Sequence, residues 1–145
     1  MMHATMHELL DNITWHTLNG AHAKYAVGTD RVRRYAPGFS PIVGFADPAR
    51  PDFEALAALC APGEHFYCEG WAGDAPAGWQ IEVESTMLKM VWEGGTPEAD
   101  ETLPAVALGP GEAQQALDLA LLTRPGPFGL RTIELGDYFG VFESE

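Results

Sequence analysis

The chain has 145 residues, 46% hydrophobic and 20% charged, with 21 acidic side chains against 8 basic ones and a formal net charge of −13. A chain of this length buries about 70% of its extended surface, enough for a real core, and its composition is globular rather than disordered. The acidity argues against nucleic acid, whose phosphates demand clustered Lys and Arg, and against anionic membrane surfaces; in most proteins it means only solubility.

The amino-terminal run MMHATMHELLDN lacks the basic and apolar regions of a signal peptide. No run approaches the roughly 18 apolar residues of a membrane span, so a cytoplasmic home is expected. Residues 6–10 and 13–18 read as two short helical turns, the second capped by Asn12, with Leu9, Leu10, Ile13 and Trp15 turned to the core. Asn19-Gly20 marks a turn. Residues 24–27 and 31–35 then read as two strands of a hairpin around Gly28-Thr29-Asp30, and residues 42–45 as a third.

Asp52 is a good helix cap, and Phe53, Leu56, Ala57 and Cys60 recur at helical spacing until Pro62-Gly63. Residues 65–69 resume as a strand, and the Gly/Ala/Pro-rich stretch 70–78 reads as an exposed loop. Gln80-Ile81-Glu82-Val83-Glu84 alternates apolar and acidic residues, while Leu88, Met90 and Trp92 line one face of a further strand. EGGTPEADE, with its glycines, one proline and four carboxylates, has linker composition. It divides the chain into an N-terminal α/β unit over 1–93, a linker at 94–102 and a second unit over 103–145.

In the second unit Ala105-Val106-Ala107-Leu108 reads as a buried strand. Pro110 suits the first position of a helix and Glu112 its positive end. Ala113, Ala116, Leu117, Ala120 and Leu121 give that helix one apolar face, and Arg124 and Pro125-Gly126 close it. Residues 131–135 suit one or two helical turns. Residues 138–142 have strand chemistry, with Tyr138, Gly140 and Phe142 on one face and Phe139 and Val141 on the other. Apolar on both faces, such a strand belongs inside a sheet and invites pairing if left open.

Several side chains carry possible chemistry. Arg31, Arg33 and Arg34 hold three of the eight basic residues. They suit either a grip on a carboxylate or phosphate or pairing with the surplus Asp and Glu, the commoner use. His3 and His7 have the i, i+4 spacing of a metal pair, but no carboxylate motif completes it, and no metal is expected. His65 and Cys68 point to opposite faces of their strand. Both cysteines are expected as reduced thiols. Trp71 and Trp79 flank the loop 70–78, where they line either a ligand pocket or the core.

The order strand, helix, short helix, strand resembles the opening of a GNAT acyltransferase core. The run LTRPGPFGLRTIELGDYFGV is similar to that segment in two-part GNAT proteins of the glycine N-acyltransferase-like branch. The earlier runs ELLDNITW, RVRRYAPGFSP and MLKMVW resemble the N-terminal half of the same proteins. The resemblance implies an α/β (α+β) fold: a small mixed sheet with short helices, then the β-α-α-β opening of a GNAT core. It also implies the acceptor side of an acetyl-CoA-dependent N-acetyltransferase, in which an amine attacks the thioester directly. Phe128 and Arg131 would border the acceptor cleft, and Arg34 and Trp79 are further candidates for substrate contact.

The Q/R-x-x-G-x-G/A loop that holds the cofactor's pyrophosphate at a helix N-terminus does not occur in this sequence. The expectation is therefore a GNAT core truncated before that motif, binding no acetyl-CoA alone and inactive alone. Its strand 138–142 would pair with a complementary C-terminal half or a second copy. The alternative is a stand-alone, non-catalytic binding or interaction domain derived from the same fold.

Overall fold

The computed structural model describes residues 5–144. Helix α1 (Met6–Asp11) starts at Thr5, whose hydroxyl accepts the Glu8 N–H while the Glu8 carboxylate accepts the Thr5 N–H, a reciprocal capping box. Helix α2 (Ile13–Asn19) follows at once. Asn12 makes no side-chain cap on it; its amide instead donates to the Phe45 carbonyl at 2.8 Å and ties the helical corner to the sheet.

The main sheet has the order β1-β2-β3-β4. Strands β1 (Ala26–Gly28), β2 (Val32–Tyr35) and β3 (Ile42–Phe45) form an antiparallel meander, with Ala26 opposite Tyr35 and Val32 opposite Phe45. Lys24 and Tyr25, expected as the start of a strand, fall in a 3-10 turn (Ala23–Tyr25). The hairpin turn closes on Thr29, whose hydroxyl accepts the N–H groups of Arg31 and Val32. Strand β4 (Tyr67–Cys68) runs parallel to β3, as a crossover connection requires, and helix α3 (Phe53–Ala57) lies in that crossover. Asp52 caps α3 as expected, accepting the Ala55 N–H at 2.9 Å. The helix stops at Ala57, so Cys60 lies beyond it.

Alternation along the strands gives the sheet two working faces. Val32, Val43 and Phe45 pack with Leu56 on one, flanked by Phe53, Phe66 and Trp79. Leu18 of α2, Tyr35 and Phe39 form the core on the other, with Ile42 and Leu135 against them. Helix α2 comes very close to β3. A Cβ on Gly44 would stand 2.8 Å from the Trp15 backbone nitrogen, so only glycine fits under the helix.

A second sheet pairs β5 (Val106–Ala107) antiparallel with β6 (Phe139–Gly140), Val106 opposite Gly140. Between them lie a 3-10 turn (Pro110–Glu112), helix α4 (Ala113–Thr123) and a second 3-10 turn (Thr132–Leu135). This is the strand, helix, short helix, strand order read from the sequence. The strands are shorter than expected, and α4 is only half-covered: Leu121, assigned to its apolar face, is 67% exposed. A two-stranded ribbon is too narrow to cover a broad helical face.

Two expected strands do not form. Residues 80–84 and 88–92 carry no strand pairing, and Val83, Leu88, Met90 and Trp92 stand exposed. Alternation marks a chain fit for a sheet, but a strand exists only where it pairs; the run touches residues 65–69 through side chains alone, His65 with Glu82 and Glu69 with Lys89. No helix among the described residues is long and apolar enough to cross a membrane.

Two substitutions test this packing. Leu56→Ala is expected to cost about 2–5 kcal/mol, as in other fully buried leucines, and Gly44→Ala about 1–3 kcal/mol through the clash with α2. Urea midpoints measured by circular dichroism check both. A Gly44→Ala protein as stable as the parent would refute the close approach.

Candidate functional site

The segment between α4 and β6 turns back onto the first sheet and borders an open cleft of about 640 Å³, within the usual volume range for small-molecule sites. Its walls come from both halves of the chain: His22, Tyr35 and Ser40 from one, and the loop 125–128, Thr132, Asp137 and Tyr138 from the other.

A relay of hydrogen bonds seats this segment. The Gly129 N–H donates to the Thr132 hydroxyl at 2.8 Å, and the Thr132 and Ser40 hydroxyls are 2.9 Å apart. Ser40 bonds the Pro127 carbonyl at 3.1 Å. A carbonyl only accepts, so Ser40 donates there and Thr132 donates to Ser40. Ser40 and Thr132 are buried, and each hydroxyl is satisfied, which burial requires. The Arg131 N–H also donates to the Gly38 carbonyl at 2.8 Å. A Cβ on Gly129 would stand 2.4 Å from that same oxygen, so the two backbones touch.

On the cleft wall His22 Nδ1 lies 2.7 Å from the Tyr35 hydroxyl. Burial pushes the Tyr35 phenol above the usual tyrosine range, and the nearby Tyr138 phenol adds to the effect. Burial likewise raises Tyr138. The Tyr138 ring meets Phe128 edge-to-face with centroids 5.9 Å apart, forming an aromatic corner.

The four residues singled out in sequence do not converge. Phe128 lines the cleft. Arg131 stands beside it with its guanidinium 4.5 Å from the Phe39 ring and its Nε bonded to Glu134 at 2.8 Å. Arg34 lies on the sheet's opposite face, 4% exposed, paired with Glu64 at 2.9 Å and stacked over Phe66. Trp79 packs in that same region against Phe53 and Phe66. His22, Tyr35, Ser40, Thr132 and Tyr138 were not singled out as a cleft. They come from separate elements, and no spacing along the chain announces them.

The remaining candidates stay apart. His3 lies outside the described residues, and His7 is on the exposed side of α1. No cluster suited to a metal ion occurs among the described residues. His65 pairs with Glu82 at 2.8 Å on the surface. Both thiols are free; burial pushes Cys68 up to about 11 and also raises Cys60, so neither is an activated nucleophile.

No family model and no curated protein matches this sequence. Among solved structures, the fold is similar to that of a GNAT acetyltransferase family protein from Novosphingobium aromaticivorans, with a TM-score of 0.60 and 26% sequence identity. The match covers 92% of this chain and 59% of that one, so the chain spans well under two thirds of its neighbour's length. The mixed α+β architecture, a small mixed sheet with short helices, is thus a GNAT-type fold.

The raised thiol and phenols set a pH dependence. A folded-state pKa above its unfolded value means the native protein holds a proton that the unfolded chain releases. Stability is then complete below the unfolded pKa and is lost as pH rises toward the folded one. The decline is expected to begin near pH 9 as Cys68 enters its window, and to steepen above about pH 10 with Tyr35 and Tyr138. Urea midpoints between neutral pH and pH 11 check this. Tyr35→Phe should shallow the upper part of the decline, at a cost of about 1 kcal/mol at neutral pH for the lost His22 bond.

Proposed function

We propose that this chain forms the N-terminal, acceptor-side part of a GNAT-like N-acetyltransferase of the glycine N-acyltransferase-like branch, with the cleft between its two halves receiving the acceptor amine. The observation that carries the reading is the cleft itself. It opens where the β-α-α-β segment docks on the first sheet, and Phe128 and Tyr138 of that segment line it. The shared fold with a GNAT-family protein, over 59% of that protein, supports the assignment.

Acetyl-CoA is the cofactor this reading implies, and the residues at hand do not suit its pyrophosphate. Such a group needs several free backbone N–H donors at a helix N-terminus. Pro125 and Pro127 have none, and the Gly129 N–H is engaged by Thr132. Pyrophosphate binding therefore belongs, in this proposal, to residues beyond these, and the chain supplies acceptor specificity rather than turnover. The exposed Val141 and Phe142 and the edge of β6 are where the remainder of a GNAT core, or a second copy, would pair.

The same exposed apolar surface favours the second reading, a stand-alone, non-catalytic interaction domain. Calorimetry with acetyl-CoA tests the first. No saturable binding is expected below about 1 mM, whereas micromolar affinity, about −8 kcal/mol, would overturn the assignment of the cofactor site elsewhere. Sedimentation of the purified chain with and without Phe139→Glu tests the open strand. Self-association abolished by the substitution is the result expected of a second copy. A concentration-independent monomer would instead leave the edge to a different polypeptide.

A further inference from the structure

We infer that residues 88–92 are a strap that zips onto the free edge of β4 and extends the main sheet to a fifth strand. The inference stands apart from the acceptor-side reading. β4 ends the order β1-β2-β3-β4, so its outer edge pairs with no strand among the described residues, and such an edge invites another strand. Residues 79–93 run without a turn or bend and reach residues 65–69 through His65–Glu82 and Glu69–Lys89.

The connections put the run in the right place. The crossover from β3 to β4 passes over the face of Val32, Val43 and Phe45, where Leu56 of α3 packs. The loop after β4 crosses that same face, with Trp71 and Trp79 against Phe53. A chain that steps outward twice across one face repeats the hand of its first step, and parallel connections keep one hand. The next strand therefore belongs outside β4 and parallel to it.

Lys89 sets which residues meet. Its ammonium lies 3.6 Å from Glu69 and donates to the Leu10 carbonyl of α1, while Glu69 also accepts the Thr14 N–H at the start of α2. Lys89 is thus on the helical side of the sheet. Alternation sends Leu88, Met90 and Trp92, now exposed, to the other side, where Phe66 and Cys68 border the core around Leu56. Glu82 and Lys89, seven residues apart, would stand on opposite faces of one regular strand, whereas His65 and Glu69, four apart, share a face. Zipping keeps one of the two ion pairs. Lys89–Glu69 is mostly buried and His65–Glu82 mostly exposed, so the first is the latch and the second is given up.

Crosslinking tests this on the full chain carrying Cys60→Ala and Cys68→Ala. With Lys89 level with Glu69, Met87 stands level with Tyr67, and both side chains are exposed. Tyr67→Cys with Met87→Cys is expected to form an intramolecular disulfide under oxidised glutathione. It should form at least about tenfold faster than in Tyr67→Cys with Leu88→Cys, whose thiols would face opposite sides. Lys89→Gln should slow the first pair about threefold. In the trapped protein, alternate amides among residues 86–92 should exchange at least about fivefold more slowly than before oxidation. The inference is overturned if the two pairs link at equal rates, as in a loose chain, or if Lys89→Gln has no effect. Covalent dimers in place of the internal link would give the edge to a second copy and overturn it too, as would a trapped run that exchanges as freely as before.

Discussion

Three hydroxyl and amide groups hold the halves of this protein together at one point. Ser40 and Thr132 are buried between the meander and the returning segment, and their bonds to Pro127 and Gly129 leave no hydroxyl unpaired. Hydroxyls in such a place are costly if left alone and specific if matched. The relay therefore sets the register of residues 127–132 against 38–40. That register in turn puts Phe128, Asp137 and Tyr138 opposite His22 and Tyr35. The cleft is a by-product of this seam, and its shape depends on the seam's alignment.

The main sheet makes the seam possible because its two faces do different work. One is an ordinary apolar core around Val32, Phe45 and Leu56, with Arg34 threaded along its edge. Arg34 is tolerated there because its guanidinium is matched by Glu64 and by the carbonyls of Leu59 and Tyr35, as a buried charge must be. The other face carries α2 and, through Phe39 and Leu135, the returning segment. Part of the surplus acidity thus serves the interior, where Glu64 neutralises Arg34.

The second sheet is less self-sufficient. Two strands of two residues each, a half-covered helix and a long extended run with exposed Leu88, Met90 and Trp92 are elements that normally bury more. Isolated two-stranded ribbons are marginal in water. This imbalance, with the solid core on one side and the open ribbon on the other, fits the proposed role of an acceptor-side part that works together with more of a GNAT core.

Local chemistry alone determined a good deal. The meander from residue 26 to 45, the Asp52 cap, the helix closed at Arg124 and the strand, helix, turn, strand order of the second unit are written in periodicity, capping and glycine/proline punctuation. Those signals act between near neighbours, so the sequence carries them openly. What only the tertiary structure decided is pairing. Alternation at 80–92 found no strand pairing, Asn12 bonded a distant carbonyl rather than its own helix, and Arg34 and Trp79 went to the face away from the cleft. Contacts such as Ser40 with Thr132 join groups far apart along the chain, whose meeting depends on how every element between them packs.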